Sequence, residues 1–365
     1  VIPSAGAAVG KAIAKLLGQE DRETSCRFRG VAGSGLPVTV HVVGEKNAGS
    51  ELIRATGSDG HLRTLGERAK LSGYRFDEKG LWRGEDRIEF SSEHDLYEAI
   101  DCLWIPPELR EGTDELERAL SGDLPELVAT EDLLGALHNH TTDSDGSAPL
   151  ESMAEAAKDR GWEFIGIADH SPAATYANGL SAERLRDQWR RIDNYNASNT
   201  EVRVIKGIEA DILTDGTLDI PDGCEKDLEY LVASVHSAFR LAEGVQTERI
   251  VRAVSHPACR VLGHPTGRLL LARPGYAVNL ELVFEACAEH DVAVEINASP
   301  YRLDLDWRWA RRALEFGLKL AVNPDAHSAA GLDDLQWGVA VARKAGATAA
   351  DLVNCCDIER FLNST

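Results

Sequence analysis

Between Leu137 and His327 one arrangement recurs: a short apolar run rich in β-forming residues ends in a histidine or a carboxylate, and a helix-like segment follows. The series opens at Leu137-His138-Asn139-His140-Thr141-Thr142-Asp143-Ser144-Asp145-Gly146, where His138 and His140 stand one residue apart at the end of the run 136–140. On a strand, that spacing turns both imidazoles to the same side. Run 164–168 then leads into Asp169-His170, 202–208 into Glu209, 230–235 into His236, 261–263 into His264, 292–296 into Asn297, and 320–322 into Asp325-Ala326-His327. Helical segments are expected at 150–160, 182–194, 247–254, 279–288, 307–316 and 335–345. Seven strands alternating with helices predict a β/α barrel, whose parallel strands open their carboxyl ends on one mouth.

A lone His-x-His pair is weak evidence, since two surface or core histidines are the commoner reading. Here, six of the eleven histidines (His138, His140, His170, His236, His264 and His327) fall at predicted strand ends, whereas His41, His61, His94, His256 and His290 do not. Asp145, Glu209 and Asp325 bring the converging set to nine ionisable groups. Nine such groups would be hard to keep desolvated without a counter-charge. Mixed imidazole and carboxylate donors suit Zn2+, Mn2+ or Fe2+ better than Ca2+ or Mg2+. A multinuclear metal centre is therefore expected.

In number and order these motifs resemble the PHP (polymerase and histidinol phosphatase) superfamily. The match runs through His138-Asn139-His140 with Thr142 to Gly146, Ile167-Ala168-Asp169-His170-Ser171, Gly207-Ile208-Glu209-Ala210-Asp211, Ser234-Val235-His236, Gly263-His264-Pro265-Thr266-Gly267-Arg268 and Asp325-Ala326-His327. It covers about residue 133 to the end, with no ligand position substituted. What the resemblance implies is an α/β fold, a distorted seven-stranded TIM-like β/α barrel, that holds three divalent metal ions, Zn2+ or Mn2+, and hydrolyses phosphoesters. It further implies that His138, His140, Glu209 and Asp325 hold one ion, that Glu209 bridges to a second held by His236 and His264, and that Asp145, His170 and His327 hold the third. Metal-activated water then serves as nucleophile, so no Ser or Cys nucleophile is needed. Arg268, four residues past His264, is either a phosphate clamp or a structural ion pair at the barrel rim. Asp169 precedes a ligand and alternates away from it, which suits a carboxylate that orients an imidazole. Asn297 and Arg302 are candidate substrate contacts.

Ahead of the barrel the chain is similar to the palm-to-thumb region of bacterial family X DNA polymerases over about 27–128. The similarity rests on an alternating strand at 36–43, then Thr56-Gly57-Ser58, Gly73-Tyr74-Arg75-Phe76, Glu93-His94-Asp95-Leu96-Tyr97 and Trp104-Ile105-Pro106-Pro107-Glu108-Leu109-Arg110. Nucleotidyl transfer needs clustered carboxylates to hold two metals. The Gly-Asp-x-Asp segment is missing, and Thr39 stands where the third Asp belongs, so polymerase activity is expected to be lost. Residues 6–15 read as a plain N-terminal helix or a helix-hairpin-helix fragment in which Ala8-Val9-Gly10 departs from Gly-x-Gly. The expected organisation is an α+β remnant of a polymerase palm and thumb at 1–128, followed by the barrel at 129–365.

The net charge of −21 opposes non-specific attraction to phosphate backbones. Residues 54–87 are the least acidic stretch, either a solvated face or a nucleic-acid contact. The seven cysteines form no C-x-x-C and read as small buried hydrophobes of a reducing cytosol. No apolar run approaches 18 residues, so no membrane association and a cytoplasmic location are expected. Three functions follow, in order of preference: a phosphoesterase acting on DNA 3′ ends, a small-molecule phosphatase of histidinol-phosphate or nucleotide type, and a non-catalytic DNA-end-binding scaffold. The intact ligand set argues against the scaffold.

Overall fold

The computed structural model describes residues 2–3, 21–24, 27–31, 35–77 and 80–362, and the expected helix or helix-hairpin-helix start at 6–15 lies outside the described residues. The chain divides into two units, Val1–Leu124 and Pro125–Thr365.

In the first unit, strands β1 (Ile2–Pro3), β2 (Asp21–Thr24), β3 (Arg27–Val31) and β4 (Pro37–Val43) form a sheet in the order β1-β4-β3-β2. Helices Ala48–Thr56 and Asp59–Leu71 follow, the second begun by Ser58, whose side chain accepts from the His61 amide at 3.1 Å. An antiparallel meander comes next, β5 (Arg75–Asp77), β6 (Gly80–Arg83) and β7 (Asp86–Ile88). Helices Glu93–Ala99 and Glu115–Ser121 close the unit. Ile53, Leu65, Leu81, Leu96, Tyr97 and Ile100 are fully buried among them.

The second unit is a distorted seven-stranded parallel β/α barrel. Strands β8 (Gly135–Ala136), β9 (Phe164–Ile167) and β10 (Arg203–Lys206) pair in the order β10-β9-β8. Strands β11 (Glu209–Asp211), β12 (Leu231–Ser234), β13 (Cys259–Leu262), β14 (Ala293–Asn297) and β15 (Leu320–Asn323) form the other arc in sequence order. Parallel bridges His170 to Glu209 and Asn139 to Ala326 join the two arcs, and β10 and β11 are two halves of one strand broken at Gly207-Ile208. Most of these strand residues are buried, which is why they read as near-continuous apolar runs.

The six expected helices are present within a few residues: Leu150–Asp159, Ala182–Ser198, Glu243–Val254, Leu280–Glu289, Trp307–Glu315 and Leu335–Ala345. The first buries Leu150, Met153, Ala154 and Ala157, one stripe at i, i+3, i+4 and i+7. Ser181, Asn279 and Asp306 cap three of the others by accepting from the amides of Arg184, Leu282 and Arg308.

Tyr230, fully buried, shows why glycines stand at Gly166 in β9 and at Gly207, in the break between β10 and β11. A Cβ on Gly166 or on Gly207 would run into its ring or hydroxyl, and that hydroxyl donates to the Leu137 carbonyl. The residue after Leu137 is His138, so this plug fixes the backbone from which the first metal-ligand candidate projects.

Candidate metal centre

All nine candidate ligands come together at the carboxyl ends of the barrel strands. Glu209, almost fully buried, is the hub. Its Oε1 lies 3.1 Å from His264 Nε2 and 3.3 Å from both His236 Nε2 and His138 Nε2, and its Oε2 lies 2.9 Å from His170 Nδ1. Asp325 Oδ1 is 3.1 Å from His140 Nε2 and 3.7 Å from His138 Nε2. Asp145 Oδ2 is 3.4 Å from His327 Nε2 and 3.6 Å from His170 Nε2. Three groups have donor atoms close enough to share an ion: His140, Asp145, His170 and His327; His138, His140 and Asp325; and His170, Glu209 and His236. His140 and His170 each belong to two groups, and His264 joins through Glu209.

The donor set fits divalent metal ions. His140 Nδ1 and His264 Nδ1 are buried and make no hydrogen bond, and His138 Nε2 and His170 Nδ1, equally buried, approach Glu209 without forming one. Such orphaned nitrogens are costly unless something else satisfies them. Burial would hold the Glu209 carboxyl up, but His236, His138 and His170 outweigh it and bring it well below the carboxylate range. Burial depresses His236, but Glu209 and Asp211 overcome it and raise the imidazole to about 9. His264 goes the other way, to about 4, because burial and then the Arg302 charge both disfavour its cation. Most of the cluster is enclosed, whereas the side chains of Asp145 and His327 are 31% and 42% exposed, so the mouth opens on their side.

Two ligand candidates sit on strained backbone, His264 at φ 23° and Asp325 at φ 53°. Non-glycine residues persist there only where the surroundings over-determine them. Glu295 supplies that restraint for His264. Its Oε2 accepts from the His264 amide at 2.6 Å and from Asn297 Nδ2 at 3.2 Å, while Oε1 accepts from His138 Nδ1 at 2.7 Å and from Asn323 Nδ2 at 3.0 Å. Asn297 Nδ2 also donates to Asp325 Oδ2 at 3.0 Å. Asp211 plays the corresponding part for His236, its Oδ1 lying 2.7 Å from Nδ1. A carboxylate on Nδ1 fixes the tautomer and leaves Nε2 to face the centre.

Two expectations need correction. Asp169 orients no imidazole; it accepts from the Thr141 amide at 2.8 Å, the Thr141 hydroxyl at 2.6 Å, Ser144 Oγ and Gln188 Nε2. It thereby fastens the 141–145 loop that presents Asp145. Arg268 is not placed as a phosphate clamp, because its Nε donates to the Arg302 carbonyl at 2.9 Å, Nη2 donates to the Leu303 carbonyl, and Nη1 lies 3.6 Å from Asp306. It holds the loop after β14. The arginine that reaches the cluster is Arg302, with Nε 3.5 Å from Asp325 Oδ2. Sequence reasoning missed Glu295, although it is the single charge in an otherwise apolar run and shares a strand face with Asn297.

The PHP domain profile matches residues 136–299, and that of the DNA polymerase beta thumb matches 51–111. A protein from Caldanaerobacter subterraneus named as a phosphatase is 30% identical over 52% of this chain and 74% of its own length. The chain belongs to the PHP family. It is also 37% identical, over 93% of its length, to the Bacillus subtilis DNA polymerase/3′-5′ exonuclease PolX, and spans 58% of that relative. Among solved structures, a histidinol phosphate phosphatase from Lactococcus lactis, complexed with zinc, L-histidinol and phosphate, aligns with a TM-score of 0.39 at 14% identity, over 59% of this chain and 94% of that one. Among the described residues, no helix is long and apolar enough to cross a membrane.

Proposed function

We propose that this phosphoester hydrolase acts at DNA 3′ ends, as a 3′-5′ exonuclease or 3′-phosphatase, and that it makes no DNA. The observation carrying this reading is that similarity to PolX runs through both units, the thumb match lying directly ahead of the barrel. Among the described residues, every group able to hold a metal lies in the barrel, and the resemblance to family X polymerases sets Thr39, on β4, where a carboxylate would be needed. Two or three divalent ions, Zn2+ or Mn2+, would be held by His138, His140, Asp145, His170, Glu209, His236, His264, Asp325 and His327.

Bound there, such ions supply an activated water and neutralise charge on the phosphoryl oxygens. The chain's own residues do the rest. Glu295 and Asp211 hold His138 and His236 in one tautomer. Asp169 keeps the Asp145 loop closed against Gln188. Arg302 offers its planar guanidinium to a phosphoryl oxygen at the rim. A small phosphomonoester is the second reading, favoured by the net charge of −21, which disfavours a long polyanion.

The deciding experiment compares hydrolysis of a 3′-phosphorylated oligonucleotide, an unmodified oligonucleotide and p-nitrophenyl phosphate with Mn2+ or Zn2+, using His138→Ala as control. Turnover of DNA that vanishes in the control supports the reading; turnover confined to p-nitrophenyl phosphate moves the assignment to a small-molecule phosphatase.

A further inference from the structure

We infer that Tyr176 is the platform on which the terminal base of the DNA strand stacks, so that the site recognises a nucleobase beside the ester it cleaves; the inference rests on the DNA-end reading above. Tyr176 is 69% exposed, yet its ring centroid lies 6.1 Å from His170 and 6.2 Å from His236, at steep angles to both imidazoles. A large aromatic ring thus stands in solvent at the edge of the candidate metal centre. Its hydroxyl has no hydrogen-bond partner among the described residues, so no bond of its own explains where it is placed.

The backbone that carries the ring is held in place. Residues Thr175–Ala177 form one tight turn, flanked by the buried Ala174 and ending at Asn178, which takes φ 55°. The Leu180 amide donates to the His170 carbonyl at 2.8 Å and the Gly179 amide to the Ala174 carbonyl at 3.2 Å. Gly179 packs so close to the Ser171 carbonyl that a Cβ there would collide with it. Asn178 Nδ2 ties the turn to the Asp145 loop through the carbonyls of Asp143 and Ser144, at 3.1 and 3.2 Å. Arg184 Nη1 closes the other side on the carbonyls of Asn178 and Gly179. An exposed ring on a loose loop would need no explanation. One carried on a fastened turn at the edge of the candidate metal centre presents an apolar surface whose placement costs only its own rotamer freedom, as recognition of a base requires.

The geometry also places the two halves of a nucleotide. With the ester at the cluster and Arg302 on the loop after β14, a base stacked on Tyr176 would place the leaving nucleoside toward the turn after β9. Every base has a π-face, so stacking gives affinity without reading sequence, which suits an enzyme acting on any 3′ end.

The test uses Mn2+-loaded enzyme and 3′-phosphorylated oligonucleotides whose terminal nucleotide is either normal or abasic. One stacked base is worth about tenfold in kcat/KM, mostly through KM. The wild type is expected to prefer the normal end by about that factor. Tyr176→Ala should lose the preference at unchanged metal content, and Tyr176→Phe should keep it. Equal rates on both ends in the wild type, a preference retained by Tyr176→Ala, loss of preference in Tyr176→Phe, or loss of metal in Tyr176→Ala would each overturn the inference. A wild type that turns over neither these oligonucleotides nor their 3′-hydroxyl counterparts, while hydrolysing a non-aromatic phosphomonoester such as glycerol phosphate, removes the DNA-end reading and the stacking platform with it.

Discussion

Replacing Glu295 with Gln changes one atom and tests whether the centre depends on residues that touch no metal. The carboxylate is fully buried and accepts four donors: His138 Nδ1 and Asn323 Nδ2 on Oε1, the His264 amide and Asn297 Nδ2 on Oε2. A Gln has one acceptor oxygen, so its NH2 must face one of these donor pairs. Turned toward His264, it meets an amide that then has no acceptor, and the φ 23° backbone loses its anchor. Turned toward His138, it forces Nδ1 to accept, which moves the ring proton to Nε2, the nitrogen facing Glu209 and Asp325. Either way about two charge-assisted bonds are lost, and even with partial recovery the unloaded protein should lose about 3 kcal/mol. Metal affinity should fall between about tenfold and a hundredfold, or about 1.4 to 2.7 kcal/mol. Competition against a chromophoric chelator measures the affinity, and thermal unfolding with and without Mn2+ measures the coupling, where the metal-dependent rise in Tm should shrink. A folded variant that binds metal within about twofold of the wild type would refute the reasoning.

Three further outcomes are expected. Gly166→Ala should destabilise the barrel by about 1–3 kcal/mol, read as a lower urea midpoint at unchanged slope, because the new methyl meets the buried Tyr230 hydroxyl. Arg302→Lys should lower kcat/KM on a 3′-phosphorylated end by about tenfold, since a point charge replaces a planar fork, and should leave bound metal unchanged by elemental analysis. In the first unit, burial would raise Glu115, but the His61 side chain and then the amides around Gly112 and Thr113 prevail and hold it at about 2, against 4.5 without them. A depressed carboxyl contributes stability in full above its unfolded pKa and loses it as pH falls toward the folded one. Between about pH 5 and 2 the wild type should therefore lose up to about 3 kcal/mol that Glu115→Gln does not, seen in urea titrations at pH 6 and pH 3.

The barrel was legible because parallel strands covered on both faces leave long apolar runs, and because each run ended in the residue type its mouth requires. Element boundaries such as Leu150–Asp159 and Leu335–Ala345 followed from periodicity within a residue or so. Roles that depend on where a side chain turns were not legible. Arg268 lies four residues from His264, but the intervening turn, with Gly267 at φ 61° and its amide bonded to the His264 carbonyl, sends the guanidinium to the 302–303 carbonyls. Asp169 alternates away from His170 as expected, but that direction leads to Thr141, Ser144 and Gln188, on elements far apart in the chain. Glu295 escaped notice because three of its four donors, on His138, His264 and Asn323, lie far from it in the chain.

An acidic protein with an anionic substrate presents an apparent conflict that the centre itself resolves. Asp145, Glu209, Asp211, Glu295 and Asp325 concentrate five carboxylates at or just beneath one mouth, and the cationic side chain placed beside them, Arg302, is already turned toward Asp325. Such a mouth repels phosphate and attracts cations through a protein interior that screens poorly. On the proposed reading, charge orders the events: cations would enter before substrate, and Glu295 and Asp211 would matter most at that first stage. On that same reading, the acidity that disfavours random contact with DNA elsewhere on the surface would confine productive binding to the loaded site, with Arg302 and Tyr176 meeting a strand end rather than its length.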